Sequence, residues 1–140
     1  MYFVNGYKFH TRAWSEGKKT TNSGVRVKGV TESGEDDFYG VIQHIYELEY
    51  YGLPKIALFY CQWYDPTSRG RRVHPQYKIV EINTRRRYQY YDPFIVAQKA
   101  RHVYFVDYPD TCKDLRDWCA AIATKPRGHV EVDEIIQKHK

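Results

Sequence analysis

The sequence predicts a single all-β domain with minor helix, built as a small, strongly bent antiparallel sheet or barrel. Three observations lead there. The apolar residues are strand formers: fourteen tyrosines and three tryptophans stand against one methionine, and valine and isoleucine outnumber leucine. Such side chains suit a pleated, half-buried surface. Short apolar runs, several alternating with polar residues, recur between turn signals. No stretch carries the long 3.6-residue period of an amphipathic helix. A chain of 140 residues with 42% hydrophobic content is the size of one domain with one core. Residues 1–127 are expected to form it, and residues 128–140 a C-terminal tail.

Taken in order, Tyr2–His10 reads as a strand, although the Asn5-Gly6 dipeptide is also a turn signal. Trp14–Gly24 is polar and glycine-containing, a loop. "GVRVKG" alternates Val25 and Val27 with Arg26 and Lys28, a short half-exposed strand. "TESGEDD" (Thr31–Asp37) reads as an acidic surface loop. "FYGVIQHIYELEYY" sets Phe38, Ile42, Tyr46, Leu48 and Tyr50 on one strand face, and "KIALFYCQWY" is apolar on both faces, as a central strand is. Only Gly52, Leu53 and Pro54 separate the two. They are expected to pair as an antiparallel hairpin that places Tyr46 and Phe59 on adjacent strands. His102–Tyr108 and Trp118–Lys125 are strand-like again, and "VEVDEIIQKHK" in the tail suits a short helix.

Several chemistries find no support in the residues. No run approaches the roughly 18 apolar residues of a membrane span, and the N-terminus has no apolar signal region, so no membrane partner is expected. Cys61, Cys112 and Cys119 are odd in number and irregular in spacing, which reads as reduced thiols in a cytosolic or nuclear protein. A two-metal nuclease needs three carboxylates gathered on a mixed sheet with helices. Asp36, Asp37, Asp65, Asp107 and Asp110 instead sit in turn-like sequence, where aspartate serves local hydrogen bonds. The histidines (His10, His44, His74, His102, His129, His139) are scattered singly, and no metal-ligand spacing or phosphate-binding glycine loop occurs. No catalysis, metal or cofactor is expected.

One segment stands apart. Arg69–Tyr91 carries six arginines and one lysine against the single acid Glu81, a net +6, whereas the whole chain is +5. The basic character is therefore local, and a focused field attracts an anionic partner. Arginine suits phosphate because its planar fork donates two parallel hydrogen bonds and keeps its charge at accessible pH. Neighbouring tyrosines (Tyr77, Tyr88, Tyr90, Tyr91) can stack on bases. The nucleic-acid candidates are Arg69, Arg71, Arg72, Lys78, Arg85, Arg86, Arg87 and Tyr88, with DNA the foremost partner. The two arginine clusters can act together only if the chain turns between them, in which case they grip about four phosphates, a salt slope of roughly −4. The competing use of these arginines is internal, as partners for the acidic stretch Glu35–Asp37.

A protein partner is the alternative. Tyr39, Trp63 and Tyr64 could line a cage for a methylated ammonium, as in the reading of a histone peptide by cation–π attraction. Strand alternation then requires one of Trp63 and Tyr64 to face solvent or a groove. Oligomeric state is left open.

The motifs "FVNGYKFHTR", "NSGVRVKG", "YYGLPKIALFYCQWYDPT", "VHPQYKIVEIN" and "DPFIVAQKARHVYFVDYP", with Asp117-Trp118 after them, resemble in this order the plant domain of unknown function 4216. That domain commonly sits beside the transposase in CACTA (En/Spm-type) DNA transposons. The resemblance spans Phe3–Arg127 and implies a transposon-derived, nuclear setting, without an assigned activity. The succession "YGVIQHIYEL", "KIALFYCQWYDPT" and "DPFIVAQKARHVYFVDY" is also similar to bromo-adjacent homology domains, which implies an SH3-like bent barrel used on chromatin.

Overall fold

The structure, a computed structural model, describes residues 2–15, 23–31, 34–89, 91–109 and 116–124. It is mostly β: a strongly curled antiparallel half-barrel with a small two-stranded sheet beside it. The expected fold class holds.

The chain opens with a hairpin rather than one strand. Asn5 and Gly6 take φ of 52° and 81°, the pair of positive values a type I′ turn requires. They join β1 (Tyr2–Val4) to β2 (Tyr7–Phe9) with Val4 opposite Tyr7. A single helical turn, α1 (Arg12–Ser15), follows. Most of the expected loop at 14–24 lies outside the described residues, as does the whole 128–140 tail.

The large sheet starts with β3 (Gly24–Thr31), β4 (Gly34–Leu48) and β5 (Ile56–Tyr64). β3 pairs with β4 from Gly24 opposite Val41 out to Thr31 opposite Gly34. The described part of the acidic stretch is therefore strand: Thr31 ends β3 and Gly34–Asp37 open β4, with Asp37 opposite Lys28, a cross-strand charge pair that favours the extended form. β4 and β5 form the expected hairpin, with Tyr46 opposite Leu58 and Ile45 opposite Phe59. A register shift between Ile42 and His44 leaves Gln43 as the extra residue of a bulge. The shift breaks the predicted five-residue face. Phe38 and Ile42 are buried, whereas Tyr46 and Tyr50, beyond the bulge, are exposed.

The rest of the sheet is built from shorter strands: β6 (Arg71–Val73), β7 (Val80–Asn83), β8 (Arg87–Tyr88), β9 (Phe94–Val96), β10 (Arg101–Asp107) and β11 (Trp118–Ala123). A 3₁₀ turn at Ala97–Lys99 joins β9 to β10. Strand order is β6-β7-β11-β10-β3-β4-β5-β8, with β9 also against β5.

Two apolar clusters result. One gathers Phe9, Val25, Phe38, Ile42, Phe59, Cys61 and Trp63; the other holds Tyr39, Val41, Tyr64, Ile82, Val103 and Cys119. Neighbours along one strand (Phe38 and Tyr39, Val41 and Ile42, Trp63 and Tyr64) fall in different clusters, so β4 and β5 are covered on both faces where they meet. Cys61 and Cys119 are free, buried thiols, one in each cluster. Burial pushes Cys61 up, and burial with Asp107 nearby pushes Cys119 up to about 12.

Candidate nucleic-acid interface

The basic segment folds back on itself. His74 N–H donates to the Ile79 carbonyl at 2.8 Å and Lys78 N–H to the His74 carbonyl at 2.9 Å. The His74 ring adds to the turn, its Nδ1 accepting the N–H groups of Gln76 and Tyr77 at 3.2 and 3.3 Å. β6 then pairs with β7, Arg71 opposite Ile82 and Arg72 opposite Glu81, and Asn83 N–H donates to the Gly70 carbonyl at 2.8 Å. Gly70–Arg72 thus run alongside Glu81–Asn83, with Arg69 and Arg85 in the turns just beyond that end. The turn between the two clusters, on which joint action depended, exists.

Most of these arginines already have partners. Arg71 gives Nη2 to Asp36 Oδ1 at 2.7 Å and Nη1 to the Asp37 carbonyl at 3.0 Å. Arg72 Nε meets Glu81 Oε1 at 3.0 Å, and its guanidinium lies 4.0 Å over the Trp118 ring. Arg85 pairs with Asp117 at 2.8 Å and Arg86 with Asp65 at 3.2 Å, while Arg87 sits 5.0 Å over the Tyr64 ring. Arg69 and Lys78 are exposed. Counting the three aspartates that tertiary contact brings in, Asp36, Asp65 and Asp117, lowers the local charge from +6 to +3. The internal use of the arginines foreseen for the acidic stretch is real at Arg71.

Two acids hold the site together. Asp65 Oδ1 accepts the Thr67 N–H at 2.9 Å, a side-chain turn that the "DPT" sequence favours, and Asp65 N–H donates to the Arg86 carbonyl at 2.9 Å. Burial alone would raise its carboxyl. The Thr67 hydrogen bonds and the Arg86 guanidinium outweigh burial and hold it below the ordinary aspartate value. Glu81, on β7, is buried between Arg72 and Tyr108, whose hydroxyl donates to Oε2 at 2.6 Å. Burial and then this bond to Glu81 push Tyr108 up to about 12. Sequence reading missed both roles: Asp65 lies 21 residues from Arg86 and Tyr108 27 from Glu81. Only the Asx turn at Asp65 was visible locally.

The aromatic candidates are elsewhere than expected. Tyr39, Trp63 and Tyr64 are 5%, 2% and 5% exposed. No cage can be built from them: neither Trp63 nor Tyr64 faces solvent, because the sheet curls to cover both faces of β5, and only Trp63 borders a groove. Trp63 Nε1 donates to the Asp92 carbonyl at 2.9 Å. Tyr88 is half-buried, 5.8 Å from Phe38, and Tyr91 stacks on Phe38 at 4.1 Å and 3°. Both are packing residues as much as surface ones. Tyr77 is exposed, and Tyr90 lies outside the described residues.

Beside Arg87 and Tyr88, between the β9 and β8 pairings of β5, the sheet opens into a cleft of about 530 Å³, lined among others by Gln43, Tyr60, Gln62, Trp63 and Gln89. Among the described residues no three His, Cys, Asp or Glu side chains are grouped to hold a metal ion, and no helix is long and apolar enough to cross a membrane. Asp36 and Asp65 serve arginines, and Asp110 lies outside the described residues.

No curated protein and no solved structure matches the chain. A family model does: it covers residues 46–121, from the last three residues of β4 into β11, and so takes in the whole basic hairpin. The match is narrower than the Phe3–Arg127 span of the sequence resemblance but exceeds half of the chain, and on it the chain belongs to the family described as Domain of unknown function (DUF4216).

Proposed function

We propose that this domain is a non-catalytic accessory module of a transposase-like or transposon-derived nuclear protein, and that it binds DNA or chromatin through the arginine-rich β6–β7 side. The observation that carries the reading is the Asn83-to-Gly70 hydrogen bond, which sets Arg69 and Arg85 at one end of a single hairpin. Lys78 occupies the turn at the other end, about four residues or roughly 13 Å away at 3.3 Å per residue. Arg85 is exposed, and an exposed ion pair such as Arg85–Asp117 is worth about 0–1 kcal/mol, so a phosphate can replace the carboxylate. The transposon setting is supported by the sequence resemblance, and the family itself has no assigned activity.

Arg71, Arg72 and Arg86 are committed to the fold, so the phosphate count drops from about four to about three. Binding to duplex DNA should weaken with a slope of roughly −3 in log K against log salt. The double substitution Arg69→Ala/Arg85→Ala should weaken all sequences alike and reduce the slope by about 2, since phosphate contacts position without specifying. Arg86→Ala is the wrong probe, because it releases Asp65. A parent protein whose DNA affinity ignores salt, or a double variant that binds as well, sinks the proposal.

A second reading has its own observation. The end of the β4–β5 hairpin exposes Tyr46, Tyr50, Tyr51 and Leu53, with Phe94 beside it. Contiguous exposed apolar side chains mark interaction surfaces. A protein-interaction module would use that end, with little dependence on salt.

A further inference from the structure

The cleft beside Arg87 lies where β5 changes partners. Its pairing with β9 covers Leu58–Tyr60 and its pairing with β8 covers Trp63 and Tyr64. Between them the strand meets the connection after β8 instead, tied by Cys61 N–H to the Pro93 carbonyl at 2.7 Å. On the other side of β5, the β4 bulge brings Gln43 to Gln62, and Gln43 Nε2 donates to Gln62 Oε1 at 3.2 Å. A side-chain amide has two donors and a two-lone-pair acceptor. After that bond each glutamine keeps unused hydrogen-bonding capacity, and both line the cleft.

The lining chemistry narrows the ligand. It holds one arginine, three glutamines and several tyrosines, and no carboxylate. A cationic ligand such as a methylated lysine finds no counter-charge there. A neutral, planar ring with donors and acceptors on its edge does find complements: glutamine pairs bidentately with a base edge such as adenine N6/N7, and tyrosine rings stack on base faces. Tyr60 is held for that role by an edge contact with Phe94 at 5.0 Å. Arg87, fixed over Tyr64 and two residues from Arg85, is the arginine of the lining, against which a phosphate would lie. A volume of about 530 Å³ falls within the ~300–1,000 Å³ of small-ligand sites.

We propose that this cleft takes one unstacked nucleobase of a single-stranded nucleic acid, with Gln43 and Gln62 reading its edge, Tyr60 stacking and Arg87 holding the adjoining phosphate. This rests on the reading of the basic hairpin as a phosphate-binding surface, and it adds preference for unpaired strands, since a base inside a duplex cannot reach a pocket.

Fluorescence anisotropy tests it with short deoxy- and ribo-oligonucleotides, the same-length abasic strand and a duplex, all at one salt concentration. Base-bearing strand should bind about tenfold tighter than abasic strand, the effect of one stacked base. A preference shown by either the deoxy- or the ribo-strand supports the site and identifies its source. Gln62→Leu, a half-buried strand position, and Tyr60→Leu should each abolish that ratio while the abasic strand still binds; thermal unfolding checks that both fold, and Gln62→Leu alone decides if Tyr60→Leu does not. Equal affinity for base-bearing and abasic strands, or a ratio that survives Gln62→Leu, overturns the cleft and leaves the phosphate surface standing. Absence of binding to every strand and to the duplex overturns both.

Discussion

Glu81 is the single acid in a segment with six arginines, and the fold buries it. A buried carboxylate is tolerable only when paired and hydrogen-bonded, and Arg72 and Tyr108 supply both. Tyr108→Phe should therefore cost about 1–3 kcal/mol, read as a lower urea midpoint, because it leaves a buried acceptor short of one partner. The same bond sets an alkaline limit. Tyr108 keeps its proton in the folded state up to about 12, against 10.0 when unfolded, so its contribution is present below pH 10 and is lost as pH rises from there. Asp65 works in the opposite direction. Its folded value lies below the 3.8 of the unfolded chain, so its contribution is present above that pH and is lost as pH falls through the folded value. Asp65→Asn should flatten the acid arm of a stability–pH profile below that pH; an unchanged arm would show that the Thr67 hydrogen bonds and the Arg86 contact together contribute nothing.

At the scale of elements, the β6–β7 hairpin is where local signals ran out. Alternation and turn chemistry identified β3, β4, β5, β10 and β11, and the Asn-Gly dipeptide carried the information for the first hairpin even though one strand was preferred. β6 to β9 are two to four residues long, too short for periodicity to register, and their pairing is decided by neighbours. Gly70 shows how tightly. A Cβ there would lie 2.5 Å from the Asp65 carbonyl oxygen, so the backbones of the Asp65 turn and β6 touch. Gly70→Ala should destabilise by about 1–3 kcal/mol, as overpacking does. Because Gly70 also accepts the Asn83 bond, the same substitution should reduce DNA affinity at fixed salt, whereas Val73→Ala, at the exposed end of β6, should leave it unchanged.

For the whole molecule, the curl of one sheet makes two apolar clusters share β4 and β5. Phe59→Ala in one cluster and Ile82→Ala in the other should each cost about 2–5 kcal/mol. Both should shift one and the same transition, with tryptophan fluorescence and far-ultraviolet circular dichroism coinciding. Separate transitions for the two probes in either variant would mean that the clusters fold independently. The curl also explains why the arginine field is weaker than the sequence suggests. The half-barrel brings Asp36, Asp65 and Asp117 to the hairpin from three other parts of the chain.

What the sequence by itself determined is the set of interactions that depend on nearby residues. Aromatic and β-branched content, alternation and short turns made the domain antiparallel β and placed Tyr46 across from the Phe59 region. Period two and turn chemistry are properties of a few consecutive residues, so they are visible without a fold. Tertiary structure alone decided which arginines are spent on the fold and which face a partner, since Arg71 and Asp36 are 35 residues apart. It also buried Tyr39, Trp63 and Tyr64 together, because strand alternation assigns a side chain to a face but cannot tell whether that face is covered. The amide-lined cleft belongs to the same class. Gln43 and Gln62 are 19 residues apart and meet because a bulge in β4 and a change of partner along β5 fall at the same level of the sheet.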